Sequence, residues 1–218
     1  MNAQVTRWWW VRHAPVIGHD GRIYGQDDLA ADCSDRETMA AVASLLPEGP
    51  VWITTHLQRT QQTAAALGAA LPPSAVEPDL AEQHFGDWQG LTNAELAQRR
   101  DGAWHRFWLA PAHEAPPGGE SFEQVVARVA GAMARLTQRY RGLDIVAVAH
   151  GGSIRAALAV ALGLDPERAL SIAVDNCSLT RIDHIDGAGM SGVAAPAGVW
   201  RVATVNLHPQ GLRRHPRV

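Results

Sequence analysis

The sequence predicts an α/β fold, a three-layer αβα sandwich around a mostly parallel central sheet. Short apolar, β-branched runs alternate with longer stretches of helical period, the pattern of strands covered on both faces by helices. Several helical stretches have readable ends: Ser/Thr-x-x-Gln at the start, glycine or proline at the stop. A length of 218 residues suits one domain spanning 1–218.

The first strand is Arg7–Val11, inside "WWWVRHAPV", where three tryptophans and a valine read as fully buried. Val51–Thr54 follows the turn Pro47–Pro50, and a weaker run surrounds Val76–Leu80. Asp144–Ala149, "DIVAVA", is the clearest buried strand. Ser178–Ile182 and Val199–Val205 have no long helix between them and predict an edge hairpin.

Among the helices, Thr55-His-Leu-Gln58 reads as a capping box whose helix stops before Pro72-Pro73. Ser121-Phe-Glu-Gln124 reads as another, ahead of an apolar stripe through Val125, Val126, Val129, Met133 and Leu136. A third helix follows "HGGS" and ends at Gly163. The segment at about 85–120 breaks the alternation and reads as a helical excursion over one sheet edge. Within it, Trp104, Phe107 and Trp108 have helical spacing. Core packing is the simpler reading of the three; an aromatic wall for a planar substrate group is the other. "GAGMSGVAAPAG" predicts a mobile loop, and the terminal "LRRHPRV" a frayed basic tail.

Composition narrows the function. An apolar fraction of 46% excludes a disordered chain. The 19 cationic residues, all arginine, face 22 acidic ones without a basic stripe, so no nucleic-acid partner is expected. Cys33 and Cys177 stand far apart, and the histidines form no metal-ligand spacing. No metal or other cofactor is therefore expected, and a reducing compartment is. The N-terminal segment does not read as a signal peptide, and no apolar run approaches the ~20 residues of a membrane helix. The expectation is a soluble, cytoplasmic protein with no membrane partner; the sequence leaves the oligomeric state open, a homodimer included.

Sites in open α/β sheets form just beyond the carboxyl ends of the strands. The first strand delivers Arg12 and His13 there, and the second leads into a helix carrying Arg59. The third is followed by Glu82, and "DIVAVA" by His150, Gly151 and Gly152 at a helix start. Arginine forks match phosphate oxygens, and N–H groups at a helix start add an anion seat. A neutral histidine beside such a phosphate can attack phosphorus, and a protonated carboxyl group can supply the leaving oxygen with its proton. The scattered remaining histidines default to surface or structural positions, and Glu120 and Ser121 to capping and support of the site, with direct substrate contact as the alternative.

"VRHAP", "LQRTQQTA", "LAEQHFGDWQG", "PPGGES" and "VAHGGSIR" resemble, in order, the successive motifs of the histidine phosphatase superfamily, with its phosphoglycerate-mutase-like fold. The resemblance covers most of residues 5–160. It implies that His13 is the phosphorylated nucleophile, that Arg12, Arg59 and His150 bind phosphate, and that Glu82 is the proton donor. The substrate implied is a small-molecule phosphate ester. "IYGQDDLA" resembles a loop of the α-ribazole-5′-phosphate phosphatases through Tyr24, Gly25 and Asp28, which makes Tyr24 a candidate substrate contact. Ala14-Pro15 departs from the Gly and Glu of mutases, and "LAADCSDRE" replaces their Pro-Leu-Thr segment. Both departures favour a phosphatase over a mutase. A catalytically silent phosphate-binding module is the remaining alternative.

Overall fold

The computed structural model describes residues 4–100, 105–187, 198–209 and 211. Trp104, most of the Gly187–Gly198 segment and the arginine-rich tail lie outside the described residues. Six strands form one sheet: β1 (Val5–Arg12), β2 (Val51–Thr54), β3 (Ala75–Val76), β4 (Asp144–Ala149), β5 (Leu179–Ile185) and β6 (Val199–Leu207), in the order β3-β2-β4-β1-β5-β6. Neighbours among β1–β4 pair in parallel, while β5 runs antiparallel to β1 and pairs with β6 as the expected edge hairpin.

Helices α1 (Arg36–Ala43), α2 (Gln58–Ala66), α3 (Asn93–Arg99), α4 (Phe122–Arg139), α5 (Gly151–Leu162) and α6 (Pro166–Ala169) complete the fold. One face of the sheet packs on α4 and α5 through Val125, Val129, Met133, Ile154 and Leu158. The other packs on α1 and α2 through Met39, Val42 and Ala64. The chain is thus a three-layer αβα sandwich. Helix α1 is absent from the sequence reading, because its short span buries only Thr38, Met39 and Val42. Its start is nevertheless well defined: the Asp35 carboxylate accepts from the Thr38 N–H.

Strand β1 alternates across the sheet. Trp8 and Trp10 are fully buried and stack at 5.0 Å with their rings 13° apart. Trp9 points to the opposite face and is only half-buried, its ring covered by the Arg181 guanidinium at 4.7 Å. The expectation of a strand buried throughout is corrected at that position. The indoles are anchored at both faces: Trp8 Nε1 donates to Thr137 Oγ1 at 2.9 Å, and Trp9 Nε1 to Asp144 Oδ1 at 2.9 Å.

Two helix starts come out differently. Ser121 and Gln124 form the expected reciprocal capping box on α4. At α2 the expected box does not form, since Leu57 is the cap residue and caps with no side chain. The Thr55 hydroxyl is instead engaged by His150 and Thr60. The excursion is also less helical than its aromatic spacing predicts. It contains one 3-10 turn (Gly86–Trp88) and α3, and the backbone from 105 to 120 is irregular. Phe107 is 51% exposed, so the core reading fails for it, while Trp108 is half-buried. Gly86 explains part of this, with φ +49° and no room for a Cβ, which would stand 2.0 Å from the Pro117 carbonyl oxygen. Ile23, Phe85, Trp88, Leu96 and Ala110 give the excursion a small core of its own.

Met133→Ala, which empties a fully buried site on α4, is expected to cost about 2–5 kcal/mol in urea unfolding. Ser121→Ala should cost about 1 kcal/mol by removing the α4 cap. A Met133→Ala variant as stable as the parent would contradict the packing described.

Candidate active site

Parallel pairing sets Arg12 opposite Ala149, so the next residues, His13 and His150, leave the sheet side by side. Their rings meet edge-on, with centroids 5.2 Å apart. The backbone around His13 is tied at every step. His13 N–H donates to the Ala149 carbonyl at 3.0 Å, and Cys177 N–H to the Arg12 carbonyl at 3.0 Å. Asn176 Nδ2 donates to the His13 carbonyl at 2.8 Å, and Ala14 N–H to Thr63 Oγ1 at 3.0 Å.

The His13 ring is 1% exposed. Its Nδ1 lies 2.6 Å from the Ala14 carbonyl oxygen, which can only accept, so Nδ1 carries the proton and Nε2 keeps its lone pair. Burial, then the Arg12 and Arg59 charges, holds its pKa well below the ordinary 6.5. The ring is therefore a neutral imidazole with a free nucleophilic nitrogen at neutral pH. His150 is depressed in the same direction by burial, and further by His13, Arg59 and Arg12. Its Nδ1 accepts from Arg59 Nε at 3.3 Å, leaving Nε2–H to donate to Thr55 Oγ1 at 3.0 Å. Both His150 nitrogens are thus engaged within the protein, beside the floor where the sequence expectation places a phosphate.

Arg59, the second residue of α2, is fully buried, and desolvation pulls its guanidinium below its usual value. Two backbone carbonyls hold the fork: NH1 donates to Asp27 at 2.7 Å and NH2 to Gly25 at 2.6 Å. Tyr24 lies under it at 5.2 Å. Asp28 accepts from the Gln58 N–H at 2.7 Å, capping α2 from a distant part of the chain. The "IYGQDDLA" loop thereby builds the seat of Arg59, and Asp28 is used by the scaffold.

Glu82 is 8% exposed and faces the start of α5, where its Oε1 accepts from the N–H of Gly152 at 3.0 Å and of Gln83 at 2.9 Å. The Gly152 N–H, expected in the anion seat, is therefore committed to Glu82. Gly151 keeps its place beside Arg12, whose Cζ lies 3.6 Å from where a Gly151 Cβ would stand. Arg12 NH1 donates to the Val174 carbonyl at 2.6 Å, while its Nε is buried with no partner among the described residues. Arg12 and Glu82 open onto a cavity of about 350 Å³ walled by Tyr24, Phe85, His105, Arg106, Phe107 and Trp108. His13, Arg59 and His150 are buried and do not line it.

All the predicted site residues thus come together in one cluster, an electropositive floor under an aromatic-walled cleft. A model of the histidine phosphatase superfamily, branch 1, matches residues 8–191. The chain belongs to the histidine phosphatase superfamily. A glucosyl-3-phosphoglycerate phosphatase of Mycolicibacterium vanbaalenii is 35% identical over 172 residues, 74% of this chain and 76% of that protein. The native structure of a mycobacterial glucosyl-3-phosphoglycerate phosphatase superposes with a TM-score of 0.77 at 30% identity, covering 94% of this chain and 100% of that one. A bifunctional protein of Mycobacterium tuberculosis is 36% identical over 157 residues; the match takes in 70% of this chain but 43% of that protein. The chain thus spans less than half the length of that relative. Among the described residues, no helix of this superfamily member is long and apolar enough to cross a membrane.

Several residues of the cluster escape sequence reading. Arg128 on α4 donates to the carbonyls of Asp79, Ala81 and Glu82 and pairs with Glu120, which fixes the backbone that carries Glu82. Glu120 also accepts from the His84 N–H at 2.9 Å, so its supporting role is the one observed. His105, defaulted to a surface or structural position, lines the cavity and donates to Glu167 at 2.6 Å, because its Nδ1 already accepts from the Trp108 N–H. Arg155 stacks on Trp108 at 4.7 Å and donates from Nε to the Ile172 carbonyl. Only Arg155 left a trace in the sequence, since it stands four residues after Gly151 and so on the same helix face.

Both ring pKa values lie below 6.5 in the folded chain, so below that pH the unfolded chain takes up protons that the folded one refuses. Stability is expected to fall as pH drops through about 6.5 towards the depressed folded values. Urea midpoints at about pH 7.5 and about pH 5.5 read this, and His13→Gln should reduce the fall. An unchanged fall in that variant would remove His13 as a contributor.

Proposed function

We propose that this chain is a metal-independent phosphatase that hydrolyses a small-molecule phosphomonoester through a phosphohistidine intermediate. The observation that carries the reading is His13: a buried, neutral imidazole with its Nε2 lone pair free, beside two guanidiniums, in a cluster where Glu82 is held at the start of α5. His13 Nε2 attacks phosphorus as the bond to the ester oxygen breaks, and Glu82 gives that oxygen its proton. Water then attacks the phosphohistidine, the P–N bond breaks, and Glu82 takes the proton back. Arg12 and Arg59 stabilise charge on the transferring phosphoryl group, with the helix start at Gly151 adding its dipole. His150 is a positioning residue: its Nδ1 accepts from Arg59 Nε, and its ring meets that of His13 edge-on.

The relatives support this reading: a metal-independent phosphoserine phosphatase of Arabidopsis thaliana is 32% identical over 163 residues. A mutase is the second reading, favoured by a 2,3-bisphosphoglycerate-dependent phosphoglycerate mutase of Gloeobacter violaceus that is 29% identical over 195 residues. Ala14-Pro15 supports the phosphatase. α-Ribazole-5′-phosphate is one candidate substrate, resting on Tyr24, which walls the cavity. The cytoplasm is the proposed setting, in keeping with two separated cysteines.

His13→Ala is expected to abolish phosphate release from an aryl phosphate and to prevent acid-labile phosphorylation of the chain. Turnover that survives the substitution would eliminate the mechanism. Glu82→Gln should slow alkyl phosphates by roughly 10²–10⁴-fold and aryl phosphates far less, because a phenolate leaves without a proton. With 3-phosphoglycerate, stoichiometric phosphate without an isomeric product is the phosphatase outcome, and isomer without phosphate is the mutase outcome.

A further inference from the structure

We propose that Glu167 is a positioning residue for the cavity: its carboxylate fixes the tautomer of His105, and His105 in turn holds the strip of backbone that carries the aromatic wall. The effect on turnover rests on the phosphatase reading, to which the inference adds a residue outside the cavity.

The strip is residues 105–110, which bring His105, Arg106, Phe107 and Trp108 to the cavity. Among the described residues, its backbone makes no hydrogen bond to another backbone group. Two of its N–H groups donate instead to a single ring nitrogen: that of Trp108 to His105 Nδ1 at 3.0 Å, and that of Phe107 to the same atom at 3.3 Å. The Trp108 ring has an anchor of its own, Nε1 donating to Gln83 Oε1 at 2.7 Å. Phe107 relies on His105, whose ring it meets at 6.3 Å. His105, Arg106 and Phe107 also line a second cavity of about 430 Å³, completed by Glu167, Arg168 and Ser171. The start of the strip thus borders two open spaces, and packing alone does not fix it.

An imidazole nitrogen accepts from those N–H groups only while it carries no proton. Glu167 enforces that state. Its Oε1 accepts from His105 Nε2 at 2.6 Å, which keeps the ring proton on Nε2. Its Oε2 accepts from the Ala112 N–H at 2.6 Å, just past the end of the strip. The Ala112 N–H above all, with the His105 contact beside it, holds the Glu167 carboxyl below the ordinary range against the opposing effect of desolvation. Both oxygens are therefore acceptors at neutral pH. The base is firm, since Asp165 Oδ1 accepts from the Glu167 N–H at 2.9 Å and Ala169 of the same short helix is fully buried. One carboxylate on α6 thus ties the strip at its start and just beyond its end. An amide in its place has one acceptor oxygen for two N–H donors. Glu167→Gln must then lose one of the two ties, or let the ring proton move to Nδ1, where it meets the Phe107 and Trp108 donors.

The test reads the wall and the floor of the cavity separately. Naphthyl phosphate has a ring that reaches the wall and a naphtholate that leaves without a proton. For this ester Glu167→Gln should lower kcat/KM roughly 2- to 10-fold, the range of one hydrogen bond, and do so through KM. Competitive inhibition by inorganic phosphate, which needs only the Arg12 and Arg59 floor, should keep its Ki, and an unchanged Ki also shows that the variant is folded. His105→Asn supplies the rescue, because an amide oxygen accepts from backbone N–H groups a few residues on with no partner needed to fix a tautomer. In the His105→Asn background, Glu167→Gln should cause little further change in KM. An unchanged KM in Glu167→Gln overturns the inference. So does an equal weakening of phosphate binding, or the same loss in the His105→Asn background. In the parent, imidazole nitrogen shifts should show His105 protonated on Nε2 alone; a proton on Nδ1 overturns the inference without reference to turnover. Absence of phosphate release from every ester, including an aryl phosphate, would instead sink the phosphatase reading itself.

Discussion

Everything at the carboxyl edge of the sheet depends on the parallel pairing of β1 with β4. With Arg12 opposite Ala149, the two chains leave the sheet at the same level, and the His13 N–H donates one more hydrogen bond to β4 before they diverge. A one-residue slip would turn the side chains of β1 to opposite faces. Trp8 and Trp10 would leave the α4–α5 core, and the two histidines would lose their edge contact. The stacked indoles therefore guard the register, and the register sets the spacing of the cluster. A residue that must present one nitrogen in one direction benefits from that rigidity, because misplacement by about an ångström weakens catalysis sharply.

The cluster itself is held against its own repulsion. Three guanidiniums and two imidazoles converge on a small buried volume, and among the described residues none of the three arginines is neutralised by an ion pair with a carboxylate. Backbone carbonyls do the holding instead: Gly25 and Asp27 for Arg59, Val174 for Arg12, Ile172 for Arg155. A carbonyl orients a guanidinium without cancelling its charge, so the field stays directed at an incoming anion. The same field keeps the histidines neutral: added to burial, it disfavours a further positive charge on either ring. Positive potential and a neutral nucleophile are thus two consequences of one arrangement.

Strand alternation, the edge hairpin, the α4 capping box and the Gly163 stop were all legible in the sequence, because each follows from period or from local backbone chemistry. The convergence of Arg12, His13, Arg59, Glu82 and His150 was legible too, since topology sends strand ends to one edge. Where local rules misled, a long-range partner had intervened. Thr55 carries the pattern of a helix cap, yet its hydroxyl is taken by His150, ninety-five residues away. Gly152 offers an N–H at a helix start, and Glu82 takes it from another strand connection. Trp104, Phe107 and Trp108 share a helical spacing, but Phe107 and Trp108 stand in irregular backbone whose Trp108 N–H and Nε1 are taken by His105 and Gln83.

By itself the sequence determined the sandwich, the strand ends at which charged groups emerge, and the order of the histidine phosphatase motifs. Tertiary structure alone decided which His13 nitrogen keeps its lone pair, what holds each guanidinium, and that Arg155 stacks on the Trp108 of the cavity wall. Period and capping are properties of a few neighbouring residues, so they can be read along the chain. Tautomer, charge state and carbonyl partners belong to contacts between residues tens to more than a hundred positions apart, and these exist only once the layers have closed over the sheet.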